Sequence, residues 1–278
     1  MLLLIDAGNT RIKWALVGSA QVAADHSDWI AAGAVLHDAV DSLAHDWGTT
    51  PLAMVLIANV AGPTVRAALL RQLALQHQCQ VASGAVPHAA PMIHWFAAVP
   101  QIAGVRNRYR TPGQLGCDRL AALIGARALL PAQAVIVAVC GTATTVDALT
   151  AAGEFIGGMI LPGPGLMASS LARNTAQLPA LPAMTTGATP AAASTDGLAL
   201  FADNTDDAIR SGCLAAQAGA VERAVAAHGG AHCLLSGGAA QLVAPLLGVA
   251  FTVVDNLVLT GLQVVAGNLN THLQKTPT

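Results

Sequence analysis

Aromatic residues are scarce in this 278-residue chain, at 3%, and charged residues reach only 10% with a net charge of −2. The core must therefore rest on small aliphatic side chains, mostly alanine, within a composition that is 54% hydrophobic. That is ample for a globular protein and far from the polar signature of disorder. The lack of a broad basic surface argues against nucleic-acid binding through general electrostatics. No uninterrupted apolar run approaches the roughly 20 residues a bilayer-spanning helix needs. No basic segment precedes the short apolar start, so a signal peptide is not expected. The five cysteines, at 79, 117, 140, 213 and 233, contain no C-x-x-C pair and are odd in number, which disfavours a disulfide framework or a zinc site. A cytoplasmic protein with buried thiols is expected. His228 and His232 are four apart, but Gly229 and Gly230 between them point to a loop rather than to a metal-binding helical face.

What is present begins at the first residues. Leu2 to Ile5 form a short apolar run suited to a buried strand, Asp6 ends it, and Ala7-Gly8-Asn9-Thr10 is turn chemistry. Arg11 to Val17 returns as a second strand through Ile12 and Lys13. A carboxylate, a glycine, a hydroxyl and a lysine thus gather at one tip. Backbone N–H groups of such a turn can cradle phosphate oxygens, an Asp can hold Mg²⁺ through its waters, and a Lys adds positive charge. The same residues also make an ordinary polar hairpin.

Further along, a third strand is expected over 21–26, a helix over 31–46 and a buried strand over 51–58. A helix over 65–77 and a strand over 79–83 complete a β-β-β-α-β-α-β order, the pattern of a mixed α/β layer. A helix starts near Leu115. Strands then follow over 134–139, 144–149 and 155–161, with Gly141-Thr142 in the first turn. The opening pattern thus returns about 133 residues later, from Gly8 to Gly141, which suggests two related domains. A helix follows Pro162-Gly163-Pro164-Gly165, a small-residue loop spans 183–197, and 203–227 is helical. A strand over 232–235, a Ser236-Gly237-Gly238 turn into a helix, a strand over 250–254 and a helix over 257–272 close the chain. The expected division is 1–115 and 116–278.

Four clusters carry chemistry. The first is Asp6 to Lys13. The second, Gly116-Cys117-Asp118-Arg119, stands at a helix start, where free N–H groups and the dipole attract anions. Asp118 there is a proton acceptor beside a fork-shaped carboxylate binder, or simply an N-cap. The third is Gly141 to Asp147, in which Thr142 can donate to phosphate and Asp147 interrupts a strand pattern, where a charge needs a partner. The fourth is Ser236-Gly237-Gly238, whose backbone can approach a flat ligand closely. Two duplicated halves, each with a glycine-hydroxyl hairpin, suggest a nucleotide clamped between domains. That is the arrangement of the actin, Hsp70 and sugar-kinase superfamily, with ribonuclease H-like domains on either side of a cleft.

The sequence resembles the type III pantothenate kinases, part of which are called Bvg accessory factors. The family's D-x-G-N-T-x-x-K is matched at Asp6 to Lys13, and its Tyr, Pro and L-G-x-D-R at Tyr109, Pro112 and Leu115 to Arg119. G-T-A-x-T-x-D is matched at Gly141 to Asp147, and a Gly-rich run ending in P-G at Gly153 to Gly163. Leu178-Pro179 follows, and N-T-x-x-A-I-x-x-G falls at Asn204 to Gly212. The resemblance implies ATP-dependent phosphorylation of pantothenate, the first step toward coenzyme A. It implies that Asp6, Ala7, Gly8, Asn9, Thr10, Arg11, Ile12 and Lys13 hold the ATP phosphates, with Mg²⁺ at Asp6, and that Thr142 adds a contact to ATP. Tyr109, Gly116, Cys117, Asp118 and Arg119 would hold pantothenate, with Asp118 as proton acceptor and Thr205 completing the pocket. A homodimer and a monovalent cation, K⁺ or NH₄⁺, are also implied.

One departure stands out. The family has Asp two residues before the Gly of G-T-A and associates it with the monovalent cation; here Val139 occupies that position. Val offers no side-chain oxygen, so weaker or altered cation dependence is expected. A competing reading is a nucleotide-binding transcription accessory protein without kinase activity. Asp6, Lys13, Asp118 and Arg119 are all present, which weighs against a degenerate enzyme.

Overall fold

The computed structural model describes residues 1–18, 29–82, 84, 90–181 and 199–274. The strand expected over 21–26 and the loop over 183–197 lie outside these residues. By its contacts the chain divides into two units, 1–129 with 257–278, and 130–256.

In the first unit, β1 (Leu2–Ala7) takes the middle of a five-stranded sheet ordered β3-β2-β1-β4-β5. Its neighbours are β2 (Arg11–Val17), antiparallel, and β4 (Met54–Asn59), parallel. Leu3, Leu4 and Ile5 are fully buried, as an unbroken apolar run covered on both faces demands. The sheet edges are β3 (Trp29–Leu36) and β5 (Met92–Phe96), the latter parallel to β4.

Two expectations are corrected in this unit. The segment 31–46 is not one helix. Trp29–Leu36 is a strand antiparallel to β2, with exposure alternating residue by residue, and only then do a 3₁₀ turn (His37–Ser42) and the short α1 (Leu43–Asp46) follow. Alanines suit both periodicities, and cross-strand pairing decides. Gly33 faces Trp14, and a Cβ there would sit 2.9 Å from the indole, so the ring needs the glycine. Where a strand is expected over 79–83, the described residues 79–82 are instead the end of α2 (Pro63–Ala82). Gln72, Gln76 and Gln80, spaced by four, form a buried polar stripe on α2. Gln72 donates to Asp41 Oδ1 (3.0 Å), Gln76 to the carbonyls of Gly48 (3.2 Å) and Thr50 (3.0 Å), and Gln80 to that of Thr50. A stripe of amides rather than leucines weakens the helical signal in the sequence, and β5 supplies the strand instead.

A small hairpin, β6 (Gln101–Ile102) and β7 (Val105–Asn107), leads into α3 (Cys117–Leu129). The division expected at 115/116 is displaced, because α3 stays with the first unit. The reason is its fit to the last helix, α7 (Leu257–Gln274), which returns to the same unit. A Cβ on Gly261 would lie 1.8 Å from the Ala121 carbonyl oxygen, and one on Gly125 2.6 Å from that of Leu257. The two backbones thus touch where only glycine fits.

The second unit repeats the plan. Strands β8 (Val135–Cys140), β9 (Ala143–Leu149) and β10 (Glu154–Pro162) meander antiparallel. Parallel to β8 runs β11 (His232–Ser236), and parallel to that β12 (Phe251–Val253), giving β12-β11-β8-β9-β10. This is the order of the first sheet with β8 in the place of β1. Helices α4 (Pro164–Asn174), α5 (Thr205–Ala227) and the short α6 (Ala240–Val243) complete it around a core built on Ile136, Ala138, Cys213, Val221 and Leu235. The duplicated α/β architecture read from the two glycine turns is present in the strand order itself.

Candidate active site

The first unit brings two of the sequence clusters together. Asp6 lies near the end of β1, in register with Lys13 on β2 and Ala58 on β4. Beyond it the chain turns tightly, with the Gly8 amide donating to the Arg11 carbonyl (3.1 Å). Asn9, Thr10 and Arg11 are exposed at the tip and Lys13 is half-buried, whereas Ala7 and Ile12 are fully buried. Those last two can offer a ligand only their backbone.

Asp6 and Asp118 lie near enough for their charges to interact. Burial, above all, pushes the Asp6 carboxyl up to about 7; Lys13 pulls it down and the Asp118 charge adds to the rise. Asp118 itself is raised, again chiefly by burial, against the opposing pull of the Arg119 amide and guanidinium. A carboxylate held above its ordinary value is a better proton acceptor once ionised.

The start of α3 fixes Asp118. Its Oδ1 accepts from the Arg119 amide at 2.8 Å. A Cβ on Gly116 would lie 2.4 Å from that same oxygen, so only glycine leaves room for the carboxylate. Gly116→Ala is expected to displace the carboxylate and, if Asp118 is the proton acceptor that the sequence resemblance implies, to lower kcat by about a hundredfold, the scale of a misplaced catalytic group. Steady-state kinetics beside an unchanged melting curve would check this.

Arg119 is buried, donates to the Tyr109 hydroxyl at 3.0 Å and lies over the Tyr109 ring, 5.6 Å from its centroid. The chain's one tyrosine thus orients the guanidinium. The Cys117 thiol is pushed up to about 11, first by burial and then by the Asp118 charge, so at neutral pH it stays protonated and is no nucleophile.

Asn59 escaped the sequence reading. It ends β4 and folds the next turn: its Oδ1 accepts from the Ala61 amide (2.9 Å) and its Nδ2 donates to the Gly62 carbonyl (3.1 Å). Its backbone amide hydrogen-bonds the Cys117 thiol, tying the strand end to the start of α3. The Asn-Val-Ala-Gly-Pro turn after an apolar run was the available signal.

In the second unit Thr142 is exposed on the β8–β9 turn. That turn is clamped by backbone from two sides. A Cβ on Gly163 would sit 2.1 Å from the Gly141 carbonyl oxygen, and one on Gly237 2.4 Å from that of Cys140. Both glycines belong to the sequence motifs, and Gly237 also takes φ +95°. Asp147 is buried within β9. Val139 occupies the position that Asp6 holds in the first sheet, paired with Thr145 on β9. Thr205, at the start of α5, is exposed and follows the N-cap Asn204, whose Oδ1 accepts from the Asp207 amide at 3.0 Å.

A family model described as "Type III pantothenate kinase" matches residues 2–227. The chain belongs to that family. It is 52% identical over 272 residues to a type III pantothenate kinase of Janthinobacterium sp. (strain Marseille), covering 96% of this chain and 97% of that one. To its counterpart in Herminiimonas arsenicoxydans it is 50% identical over 274 residues, again covering 96% and 97%. Among solved structures, a Campylobacter jejuni protein described as a Baf family transcriptional activator superposes with a TM-score of 0.57 at 17% identity, covering 96% of this chain and 99% of that one. A Sinorhizobium meliloti protein described as a 2-dehydro-3-deoxygalactonokinase gives 0.55 at 19%, covering 97% and 99%. These two likenesses speak to the fold alone, the duplicated α/β arrangement described above.

Proposed function

We propose that the protein phosphorylates pantothenate with ATP, giving 4′-phosphopantothenate and ADP, the first step toward coenzyme A. The carrying observation is the full-length kinship with type III pantothenate kinases, together with Asp118 set beside Asp6 in one unit. The pantothenate hydroxyl attacks the γ-phosphorus of ATP. As the new O–P bond forms, the bond from phosphorus to the β,γ-bridging oxygen breaks, and the hydroxyl proton passes to Asp118. Such transfer depends on positioning and charge neutralisation. The Gly8–Thr10 turn and Lys13 hold the phosphates. Arg119, oriented by Tyr109, takes the pantothenate carboxylate through a planar fork that Lys would not reproduce.

Mg²⁺ fits the residues present. Asp6 is a hard oxygen donor whose negative charge is incompletely balanced by Lys13, and Asp118 nearby adds to the deficit. No group of three or more His, Cys, Asp or Glu suited to a metal stands among the described residues, so the ion would be held by Asp6 and phosphate oxygens, as Mg²⁺ commonly is. Bound there, it neutralises charge building on the transferred phosphoryl group.

A cytoplasmic homodimer using K⁺ or NH₄⁺ is the accompanying proposal, with the pantothenate pocket near the subunit interface. Val139 gives that cation no side-chain oxygen. The Thr145 hydroxyl across the ladder, buried and without a hydrogen-bond partner among the described residues, and backbone carbonyls are what remain. Purified protein with ATP, Mg²⁺ and pantothenate, assayed with and without K⁺, tests both points. Pantothenate-dependent ADP release is expected, with a K⁺ response weaker than in relatives bearing the Asp. No pantothenate-dependent turnover sinks the kinase reading, and a full K⁺ requirement sinks the cation expectation.

A further inference from the structure

Residue His37 belongs to none of the motifs above, yet it is bonded to the first turn. The β2–β3 ladder sets this up: Arg11 pairs with Leu36, so the next residue, His37, stands beside the Gly8–Thr10 tip just as the chain bends into its 3₁₀ turn. Its Nε2 lies 2.8 Å from the Gly8 carbonyl oxygen. A carbonyl can only accept, so Nε2 carries the proton and donates.

We propose that His37 is a positioning residue for the nucleotide phosphates, acting through the Gly8–Asn9 peptide. That peptide is trans, as are all the described peptide bonds, so its C=O and its N–H point in opposite directions. Holding the Gly8 oxygen on the His37 side aims the Asn9 N–H the other way, out of the turn. Glycine needs this restraint more than other residues, since without a Cβ its own torsions leave the following peptide plane free to flip. On the other side of the same residue, the Gly8 amide is already committed to the Arg11 carbonyl at 3.1 Å. The two bonds together fix both peptide planes that meet at Gly8. A preset N–H is worth more to an anion than one that must be ordered on binding.

This rests on the reading that the turn holds ATP phosphates, so the test measures nucleotide binding apart from turnover. Titration calorimetry with the non-hydrolysed ATP analogue AMPPNP and Mg²⁺ is run on the wild type, His37→Ala and His37→Gln, beside steady-state kinetics for both substrates. His37→Ala should weaken nucleotide binding and raise KM for ATP by roughly three- to tenfold, the scale of one hydrogen bond, with KM for pantothenate unchanged. Gln can place an amide N–H near the position of Nε2, so His37→Gln should recover most of the loss. If His37→Ala binds the nucleotide as wild type does, or if both KM values rise together with a fall in melting temperature, the inference is overturned. A wild type that binds nucleotide without phosphorylating pantothenate defeats the kinase reading alone, and His37→Ala still decides this one. A wild type that binds no nucleotide defeats both.

Discussion

Asp118→Asn is expected to lower kcat for pantothenate phosphorylation by about 10²- to 10⁴-fold, the range for loss of a positioned general base. The side chain is nearly isosteric, and the amide oxygen can still accept from the Arg119 amide as Oδ1 does at 2.8 Å. Melting temperature and KM for ATP should therefore hold. What disappears is the basicity that burial gives this carboxylate. A variant within about tenfold of the wild type would remove Asp118 from the role of proton acceptor.

Asp6→Asn should abolish measurable turnover and, at the same time, stabilise the nucleotide-free protein at pH 8. The sign follows from linkage. With its folded value raised from 3.8 to about 7, Asp6 binds more proton in the folded than in the unfolded chain between those limits. Wild-type stability therefore falls as pH rises through that window, and stays lower above it. Asp118 is shifted in the same direction and adds to the slope. Asn cannot ionise, so the variant loses the Asp6 share of the decline. Melting curves from pH 4 to pH 8 without nucleotide should converge at the acid end and separate toward the alkaline end, the variant on top. Activity should run the other way in the wild type: on the proposal that Asp6 holds Mg²⁺, the carboxylate must be ionised to do so, and kcat/KM at limiting Mg²⁺ should climb through about pH 7. Substantial turnover by Asp6→Asn, or identical pH slopes for the two proteins, would undo the assignment.

The difference between what the sequence discloses and what it conceals has physical grounds. β1, β4 and β8 are unbroken apolar runs bounded by turn residues, and such runs are legible because burial on both faces requires them. Asp6 and Asp118 were legible as residues of their motifs, but that their charges meet is a matter of how α3 lies against β4, the strand beside β1. β3 was hidden by alanines that suit either period, and the far end of α2 by glutamines occupying the buried stripe. Those two errors are not independent of the site. Reading 31–46 as a helix placed His37 mid-helix, where no bond to Gly8 could be foreseen; only the Arg11–Leu36 pairing reveals it. The displaced boundary has a comparable cause. The glycines of α3 and α7 stand well over a hundred residues apart, and nothing local marks them as mates.

That pairing has a consequence for the order in which a nascent chain can become an enzyme. α3 carries Asp118 and Arg119, and the surface it settles against belongs to α7, which is synthesised after the whole of 130–256. The intervening unit is continuous and can fold as it emerges, whereas the first unit must wait with one face of α3 uncovered. Contacts so distant along the chain are also the slow ones to close. Asp6, Lys13 and the first turn are thus made early, whereas α3 with Asp118 and Arg119 gains its cover only when the last helix arrives; on the proposed roles, a partly translated chain would have the parts for holding phosphate before the means to transfer it.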